Sequence, residues 1–142
     1  GIRNNVLEAI APNESSSQLT NTCNGIYPIR QVKIAKSSGS NRNIVIAPES
    51  GKYEYEIVWN IPLKDQIELY AIFQKFMGQG ISGDFFIDRR GNKTVTDRDL
   101  LQSFLYQTKM GMKSRYYMNS LTGEVEDYES DMAGCESGAC SL

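Results

Sequence analysis

The chain is organised around residues 12–17, which read PNESSS, run on through Gln18 and are followed by the pair Asn24-Gly25. An apolar run at residues 6–11 leads into this stretch and is typical of a buried strand. The small polar residues are preferred helix N-caps, and an Asn-Gly pair is a typical stop signal. A strand that ends in hydroxyls and opens a short helix presents free backbone N–H groups at the positive end of the helix dipole. The pattern therefore predicts either a phosphate-binding turn or an ordinary Ser-rich capped turn.

The composition limits the classes of partner. The chain has 142 residues, 40% of them apolar, which is enough for one domain with a core. The net charge of −2, from 15 basic and 17 acidic side chains, argues against nucleic acid or an anionic membrane as the main partner. No run approaches the roughly 18 apolar residues of a membrane helix, and nothing resembles a secretory leader. Since the sequence opens with Gly1 and not Met, we expect a piece of something larger.

The side chains that most often carry acid–base or metal chemistry are scarce. There is no histidine, which removes the commonest general base and the commonest metal ligand. The three cysteines are Cys23, Cys135 and Cys140, an odd and sparse set that does not suit a secreted disulfide framework. We therefore expect a reducing, cytoplasmic location, with Cys23 as a small packed side chain.

Strand and helix patterns alternate along the middle of the chain. Residues 31–36 alternate polar and apolar side chains, and residues 43–47 follow after turn residues, which predicts a β-hairpin. Pro62 suits the first position of a helix, and Gly78 and Gly80 are expected to end it.

A second set of elements follows in the same alternating order. Residues 81–87 predict a strand, and Thr96 with Asp99 resembles a capping box that opens a helix ending at Gly111. Residues 112–118 predict a last strand. This order predicts parallel α/β units, though too few to close a barrel, so a fragment of a larger α/β assembly is the better interpretation.

The composition changes after residue 123. Residues 124–142 are acidic and nearly devoid of core residues, which predicts a mobile tail behind a folded part at residues 1–123. Cys135 and Cys140 lie in this tail. A zinc site needs four ligands and the chain offers only one further cysteine, so a redox-active thiol pair is the more economical interpretation. An incidental pair of exposed thiols is the alternative.

Two adjacent tyrosines, Tyr116 and Tyr117, lie on the predicted last strand. Adjacent strand residues point to opposite faces, so one ring is expected to face the interior and one the outside. Paired tyrosines in strands usually serve packing. A tyrosine can, however, carry an oxidising equivalent if its phenol proton has somewhere to go.

Taken together, these features resemble the C-terminal part of the large subunit of class Ia ribonucleotide reductase. The resemblance runs through the chain in order. It is carried by residues 11–18 (APNESSSQ), Asn21, Asn24-Gly25, residues 74–76 (QKF), Gln79, Ile81-Ser82, Lys113, Tyr116-Tyr117, Asn119 and residues 134–140 (GCESGAC). It implies an α/β fold, the C-terminal part of the ten-stranded α/β barrel of that subunit, followed by a flexible tail.

The resemblance also implies roles for particular residues. Asn13, Glu14, Ser15 and Ser16 fall where the family binds the diphosphate of its ribonucleoside diphosphate substrate. Tyr117 and Tyr116 match the pair that relays a radical across the subunit interface to the catalytic cysteine, with Tyr117 nearer the small subunit. Cys135 and Cys140 match the shuttle pair that re-reduces the active-site disulfide.

The same resemblance implies partners and cofactors. They are a small subunit that carries a di-iron tyrosyl radical, thioredoxin or glutaredoxin as reductant, and the N-terminal part of the large subunit. The thiyl-forming cysteine and the effector sites of the family lie upstream of the region matched. This implies a chain that is inactive alone, either an excised piece or one half of a naturally split subunit, and we favour the split subunit. A small thiol–disulfide carrier and a phosphate-binding module with an incidental tail are the alternatives from other classes.

Three positions depart from the family pattern. Tyr27 precedes a proline where an acidic residue is common, and Gly83-Asp84 begins a segment that differs from the usual Ala-Asn-Thr. Leu121 replaces a basic residue that usually follows the tyrosine pair. We expect the local loops, and the surroundings of the tyrosines, to differ accordingly.

Overall fold

The computed structural model describes residues 3–20, 22–38, 41–91 and 93–123. The acidic tail predicted at residues 124–142, with Cys135 and Cys140, lies outside the described residues. In chain order the elements are helix α1 (Glu14–Thr20), strands β1 (Lys33–Ser38) and β2 (Asn41–Ile46), a 3₁₀ turn (Val58–Asn60), helix α2 (Leu63–Gln74), strand β3 (Phe85–Asp88), helix α3 (Asp97–Lys109) and strand β4 (Met118–Leu121). Over the described residues, no helix is both long and apolar enough to cross a membrane.

Strands β1 and β2 form the predicted hairpin. They pair antiparallel, from Lys33 opposite Ile46 to Ser38 opposite Asn41. Ile44 and Ile46 are 56% and 49% exposed, so this face of the hairpin is uncovered in the isolated chain.

Strands β3 and β4 pair in parallel and are joined by α3, which confirms the predicted parallel α/β unit. Phe85 lies opposite Met118 and Asp88 opposite Leu121. The pair forms a sheet of its own, separate from the hairpin. Strand β3 begins at Phe85 and not at residue 81 as predicted. The strand predicted at residues 112–118 is wrong except at its last residue, because β4 covers Met118–Leu121.

Hydrogen bonds outside the ladder explain the later start. The Gly83 N–H donates to the Ile81 carbonyl at 2.9 Å, a tight turn that interrupts the extended chain. On the other segment, the Lys113 N–H donates to Gln74 Oε1 at 3.4 Å, and the Ser114 hydroxyl donates to the Ile81 carbonyl at 2.7 Å. These groups are committed to α2 and to the turn, so the ladder forms only beyond them.

The core lies between α2 and the parallel pair. Its largest fully buried side chains are those of Tyr70, Phe85, Phe86, Ile67, Ile81 and Val58. Gln66, 3% exposed, is the polar member of this interface. Its Nε2 donates to the Phe86 carbonyl at 2.8 Å and its Oε1 accepts from the Phe86 N–H at 2.9 Å. A buried side-chain amide thus satisfies both backbone groups of a strand residue. Loss of this amide would leave the two groups buried without a partner, which is costly.

Both predicted ends of α3 are confirmed. The Thr96 hydroxyl accepts from the Asp99 N–H at 3.3 Å, and Asp99 Oδ2 accepts from the Thr96 N–H at 2.9 Å, completing the capping box. At the other end Gly111 has φ +84°, the left-handed region that favours glycine. The Gly111 and Met112 N–H groups donate to the carbonyls of the last helical turn, each at 3.1 Å.

Helix α2 confirms one predicted end and not the other. Pro62 caps it, one residue before the first helical position. The helix ends at Gln74, ahead of Gly78 and Gly80. The buried Gln74 amide donates to the carbonyls of Met77 and Gln79 at 3.1 and 2.7 Å, so the chain after it turns back over the helix end.

The predicted strand at residues 6–11 is wrong. The segment has no strand pairing, and Leu7 is 81% exposed. Its end is tied to the core by packing of Ile10 and by a hydrogen bond from the Ser82 N–H to the Ile10 carbonyl at 3.2 Å. An apolar run becomes a strand only beside a neighbouring strand, and none of the described strands lies against this one.

Two smaller predictions near α1 are also wrong. The helix ends at Thr20 and not at Asn24-Gly25, because the Thr22 N–H closes the last turn on the Ser17 carbonyl at 2.8 Å. Cys23 is an exposed free thiol and not a packed side chain.

Candidate functional site

The loop that opens α1 is held as a closed turn. The Asn13 N–H donates to the Asn24 carbonyl at 3.1 Å, and the Asn13 carbonyl accepts from the Ser17 N–H at 2.9 Å. Ser15 and Ser16 are exposed, whereas Ser17 is 6% exposed. The first N–H groups of any α-helix lack partners within the helix. The turn therefore presents hydroxyls and N–H groups together, which is the arrangement an anion requires.

Tyr27 packs beneath this loop. Its ring is 9% exposed and lies 4.8 Å from the Phe86 ring. Its hydroxyl donates to Asn24 Oδ1 at 3.0 Å. Burial raises the pKa of the Tyr27 phenol, so the phenol stays protonated and remains a donor. A Cβ at Gly25 would lie 2.5 Å from the Tyr27 ring, so the chain needs glycine there.

The Tyr116 and Tyr117 rings touch each other. Their centroids are 4.0 Å apart with the planes tilted by 52°, and the residues are 48% and 58% exposed. The expectation that the two rings face opposite sides of a strand is wrong. The pair precedes β4 and lies outside the regular ladder, so strict alternation does not apply.

The backbone of the tyrosine pair is tied to the segment before β3. The Tyr116 N–H donates to the Gly83 carbonyl at 3.1 Å, and the Tyr117 carbonyl accepts from the Phe85 N–H at 2.9 Å. Between these positions, the Tyr70 hydroxyl accepts from the Asp84 N–H at 3.1 Å and donates to the Asp84 carbonyl at 3.2 Å. Tyr70 is 1% exposed, so α2 fixes the place at which the tyrosines attach.

Arg115 anchors the other side of the pair. Its Nε donates to Gln107 Oε1 at 2.9 Å, and its terminal nitrogen donates to Ser103 Oγ at 3.2 Å. The guanidinium also lies 5.7 Å from the Phe85 ring centroid and 5.6 Å from that of Phe104. Burial lowers the pKa of Arg115, but an arginine stays charged in proteins. The pair is therefore attached through its neighbour to α3.

The structure brings two of the three predicted groups into one region. The loop at Asn13 to Ser16 and the tyrosine pair both attach to the segment around Asp84. The cysteine pair lies outside the described residues. Among the described residues no cluster of acidic or Cys side chains could hold a metal. The supporting roles of Tyr70 and Arg115 could not be predicted from the sequence. Neither residue type by itself indicates that a side chain holds a neighbouring segment in place.

In the sequence, some glycines mark positions where a supporting side chain packs against the backbone. A Cβ at Gly83 would lie 2.9 Å from the Tyr70 ring. Gly83, immediately before Asp84, and Gly25, two residues before Tyr27, each mark a place where a side chain approaches the backbone closely.

Comparison with known proteins assigns the chain to a family. The sequence matches the family model described as "Ribonucleotide reductase, barrel domain" over residues 1–52 and 45–118. It is 39% identical to ribonucleoside-diphosphate reductase 1 subunit alpha of Salmonella typhimurium and 38% identical to that of Escherichia coli. It is 31% identical to the corresponding subunit alpha of Enterobacteria phage T4. Each match covers 100% of this chain and 20% of the relative, so the chain spans about one fifth of their length.

These matches agree with the α/β architecture and with the order of the sequence motifs. The resemblance and the fold class predicted from the sequence are both confirmed. The chain belongs to the ribonucleotide reductase family, as a C-terminal portion that includes part of the barrel domain of the large subunit.

Proposed function

We propose that this chain is one part of a ribonucleoside-diphosphate reductase. Such an enzyme converts ribonucleotides to deoxyribonucleotides by radical chemistry and so provides the deoxyribonucleotides for DNA replication. The names of its relatives and the family membership support this activity. The chain supplies a substrate loop, a radical relay and a thiol shuttle in a reducing cytoplasm, and it is inactive alone.

The surface of the folded part supports a partner that completes the barrel. Helix α3 exposes Leu101, Phe104 and Leu105 at 59%, 54% and 59%. Contiguous apolar surface of this kind is characteristic of an interface. In this proposal the N-terminal part of the large subunit covers the face, as expected for a chain that spans one fifth of its relatives.

The loop at the start of α1 binds the diphosphate of the substrate. Backbone N–H groups at Glu14, Ser15 and Ser16, with the Asn13 side chain and the two serine hydroxyls, donate to phosphate oxygens. Exposure of Ser15 and Ser16 and the closed turn at Asn13 support this role.

The contact between the Tyr116 and Tyr117 rings carries the proposal. At 4.0 Å between centroids, one electron can pass directly between the phenols. Tyr117, oxidised to the phenoxyl radical by the small subunit, takes one electron and one proton from Tyr116. Tyr116 then takes one electron and one proton from a cysteine thiol of the N-terminal part and leaves a thiyl radical there.

The remaining groups come from partners and from the tail. The small subunit holds the di-iron centre and tyrosyl radical, which supply the oxidising equivalent. After turnover one thiolate of Cys135 and Cys140 attacks the active-site disulfide, and the other resolves the mixed disulfide. Thioredoxin or glutaredoxin then reduces the disulfide formed between them.

Substitution of the two tyrosines tests the relay. In a complex of this chain with the N-terminal part and the small subunit, Tyr116→Phe and Tyr117→Phe should each abolish turnover. Phenylalanine keeps the ring contact but cannot form a phenoxyl radical. Tyr53→Phe is the matched control, since Tyr53 is 55% exposed in a loop outside the proposed relay, and it should retain activity. Activity in Tyr117→Phe would refute the relay.

A second substitution separates the enzyme part from a small redox carrier. Cys135→Ser should block turnover driven by thioredoxin and spare turnover driven by a small dithiol. A redox carrier would be indifferent to both tyrosine substitutions. Loss of both thioredoxin-driven and dithiol-driven turnover in Cys135→Ser would refute the shuttle.

Reconstitution tests the split-subunit hypothesis. Mixing this chain with a separately produced N-terminal part should give an active complex. Detection of a single continuous polypeptide as the only form in cells would refute the split and leave the enzyme assignment intact.

A further inference from the structure

A continuous path of contacts joins the loop at Asn13 to the backbone of Tyr117. The path starts at the Asn13 N–H, which donates to the Asn24 carbonyl at 3.1 Å. The side chain of Asn24 accepts from the Tyr27 hydroxyl at 3.0 Å. That hydroxyl also lies 3.5 Å from Asp84 Oδ2, and Asp84 Oδ1 accepts from the Tyr117 N–H at 3.3 Å.

The Tyr27 hydroxyl, in the middle of this path, has two acceptors within reach. A phenol carries one proton, so the Tyr27 hydroxyl donates either to Asn24 Oδ1 or to Asp84 Oδ2, and not to both. The shorter distance favours Asn24 in the structure as it stands. A shift of the Asn24 side chain would release the phenol proton toward the carboxylate, whose other oxygen accepts from Tyr117.

The Tyr27 hydroxyl and the Asp84 carboxylate border a small space. It is a cavity of about 10 Å³, lined by Pro12, Asn24, Tyr27, Ser82 and Asp84 among others. Such a space holds a single water at most. Burial raises the pKa of Asp84, while the hydrogen bond from the Tyr117 N–H and then the charge of Arg30 oppose the rise. In this partly buried position a hydrogen bond to the carboxylate is stronger than it would be in water.

We propose that Tyr27 and Asp84 are positioning residues that couple occupancy of the loop at Asn13 by a diphosphate-bearing ligand to the placement of Tyr117. This inference rests on the proposed function and extends it to a link between substrate and relay. An anion that draws on the first turn of α1 moves Asn13, and the Asn24 carbonyl follows because it is bonded to the Asn13 N–H. The change reaches Tyr117 through Tyr27 and Asp84.

Hydrogen exchange in the complex of this chain with the N-terminal part of the large subunit tests the coupling without turnover. The exchange rate of the backbone amides at Tyr116 and Tyr117 is measured by mass spectrometry with and without a ribonucleoside diphosphate. We expect the ligand to change the rate at Tyr117 by about fivefold, the effect of one hydrogen bond. In Tyr27→Phe, which keeps the ring against Phe86, the ligand should still bind but the change should disappear.

Tyr106→Phe is the matched control. Its hydroxyl also donates to a carboxylate, that of Glu68, but lies outside the path. It should keep the ligand-dependent change at Tyr117. If Tyr27→Phe fails to fold, Asp84→Asn serves in its place, since it keeps the side-chain shape and removes the charge, and the change should shrink there too.

The outcomes separate this inference from the proposed function. Persistence of the full change in a folded Tyr27→Phe or Asp84→Asn would overturn the coupling, as would binding without any change at Tyr117 in the unsubstituted protein. Neither result would affect the substrate loop itself. Failure of the unsubstituted subunit to bind a ribonucleoside diphosphate would overturn the proposed function.

Discussion

Strands β1 and β2 are joined by residues 39 and 40 and pair antiparallel, whereas β3 and β4 pair in parallel and are joined by the 13-residue helix α3. The hairpin is local in sequence, and its side chains at Ile44 and Ile46 are about half exposed. The parallel pair exists only because α3 and α2 hold distant segments together. Phe85 and Phe86, the first two residues of β3, are 0% and 2% exposed and belong to the core.

This difference indicates which part of the isolated chain contributes most to its free energy of unfolding. Hairpins can form from local contacts, while parallel strands require a crossover and coverage by helices. The core, the tyrosine pair and Asp84 all belong to the parallel unit. We therefore expect substitutions there to reduce stability far more than substitutions in the hairpin.

The largest effect is expected for Phe85→Ala. Removal of a fully buried phenyl ring leaves a cavity and should lower the free energy of unfolding by about 3–5 kcal/mol. Ile44→Ala, 56% exposed in the hairpin, should change it by less than about 0.5 kcal/mol. Urea unfolding of both variants measures the difference. Equal losses of unfolding free energy would show that Ile44 contributes to the core as much as Phe85 does.

A smaller effect is expected for Gly83→Ala. The new Cβ would lie 2.9 Å from the buried Tyr70 ring, and the crowding should cost about 1–3 kcal/mol. A Cβ at Gly51, in the loop after the hairpin, would have no atom within 4 Å, so Gly51→Ala should lie within about 0.5 kcal/mol of the unsubstituted chain. Thermal unfolding of the two variants compares them. A neutral Gly83→Ala would mean that Tyr70 can move aside.

The crossover helix gives a third test. Thr96→Ala removes the side-chain half of the capping box of α3 and should cost about 1 kcal/mol. Thr94→Ala, also exposed but ahead of the cap, is the control and should be nearly neutral. Urea unfolding again supplies the measurement. Equal effects at both positions would contradict the importance of the cap.

The smallest effect concerns pH, at the two ends of β3. Hydrogen bonds from Arg90 and then Lys93 hold the pKa of Asp88 well below its usual range, at Nε–Oδ1 and Nζ–Oδ2 distances of 2.8 and 2.6 Å. A lowered folded pKa adds stability above the usual aspartate pKa, and this stability is lost as the pH falls through the folded value. Asp88→Asn should therefore be less stable at neutral pH and lose less stability on acidification.

Asp84 should behave in the opposite sense. Burial raises its pKa, so the folded state favours the protonated acid, and stability from this group falls as the pH rises from the usual aspartate pKa through the folded value. Unfolding measured between neutral pH and about pH 3 in Asp88→Asn and Asp84→Asn should give changes of opposite sign. Changes of the same sign would contradict the contrast between the two ends of β3.

Local sequence signals predicted the local features well. The hairpin, the Thr96 capping box and the Gly111 stop depend on residues close in sequence. The cap and the stop lie where predicted, and the hairpin has the predicted pairing with strands that extend further into the predicted turn. The family assignment came from ordered motifs and is confirmed. The roles of Tyr116, Tyr117, Asn13 and the cysteine pair stay predictions.

Features set by distant contacts could not be predicted in this way. Residues 6–11 look like a strand, but an apolar run needs a neighbour, and none of the described strands lies beside it. The start of β3 depends on Tyr70, which approaches Gly83 from α2. The tyrosine rings meet because Arg115 and the Gly83 carbonyl hold the segment outside the ladder. None of these contacts leaves a periodic trace in the sequence.

The departures from the family pattern are also clearer in three dimensions. Tyr27 and Asp84 lie 57 positions apart and were noted separately from the sequence, yet their side chains approach to 3.5 Å. Where the resemblance implies an acidic residue before the proline, this chain has Tyr27, and the carboxylate that approaches this position is that of Asp84.

The Gln66 amide has a consequence for how chains associate. Phe85 and Arg89 donate their N–H groups to β4 and the residue before it, so the Phe86 peptide faces the other way, and Gln66 occupies both of its backbone groups. An incoming strand thus finds both backbone groups of Phe86 already satisfied, so the edge along Met118–Leu121 is the more accessible one for lateral addition. In two chains joined through that edge, the backbone groups of both edges would be paired with each other. Edge-to-edge growth from this sheet is therefore favoured to stop at a pair of chains, because the Phe86 side of each sheet is the harder one to extend.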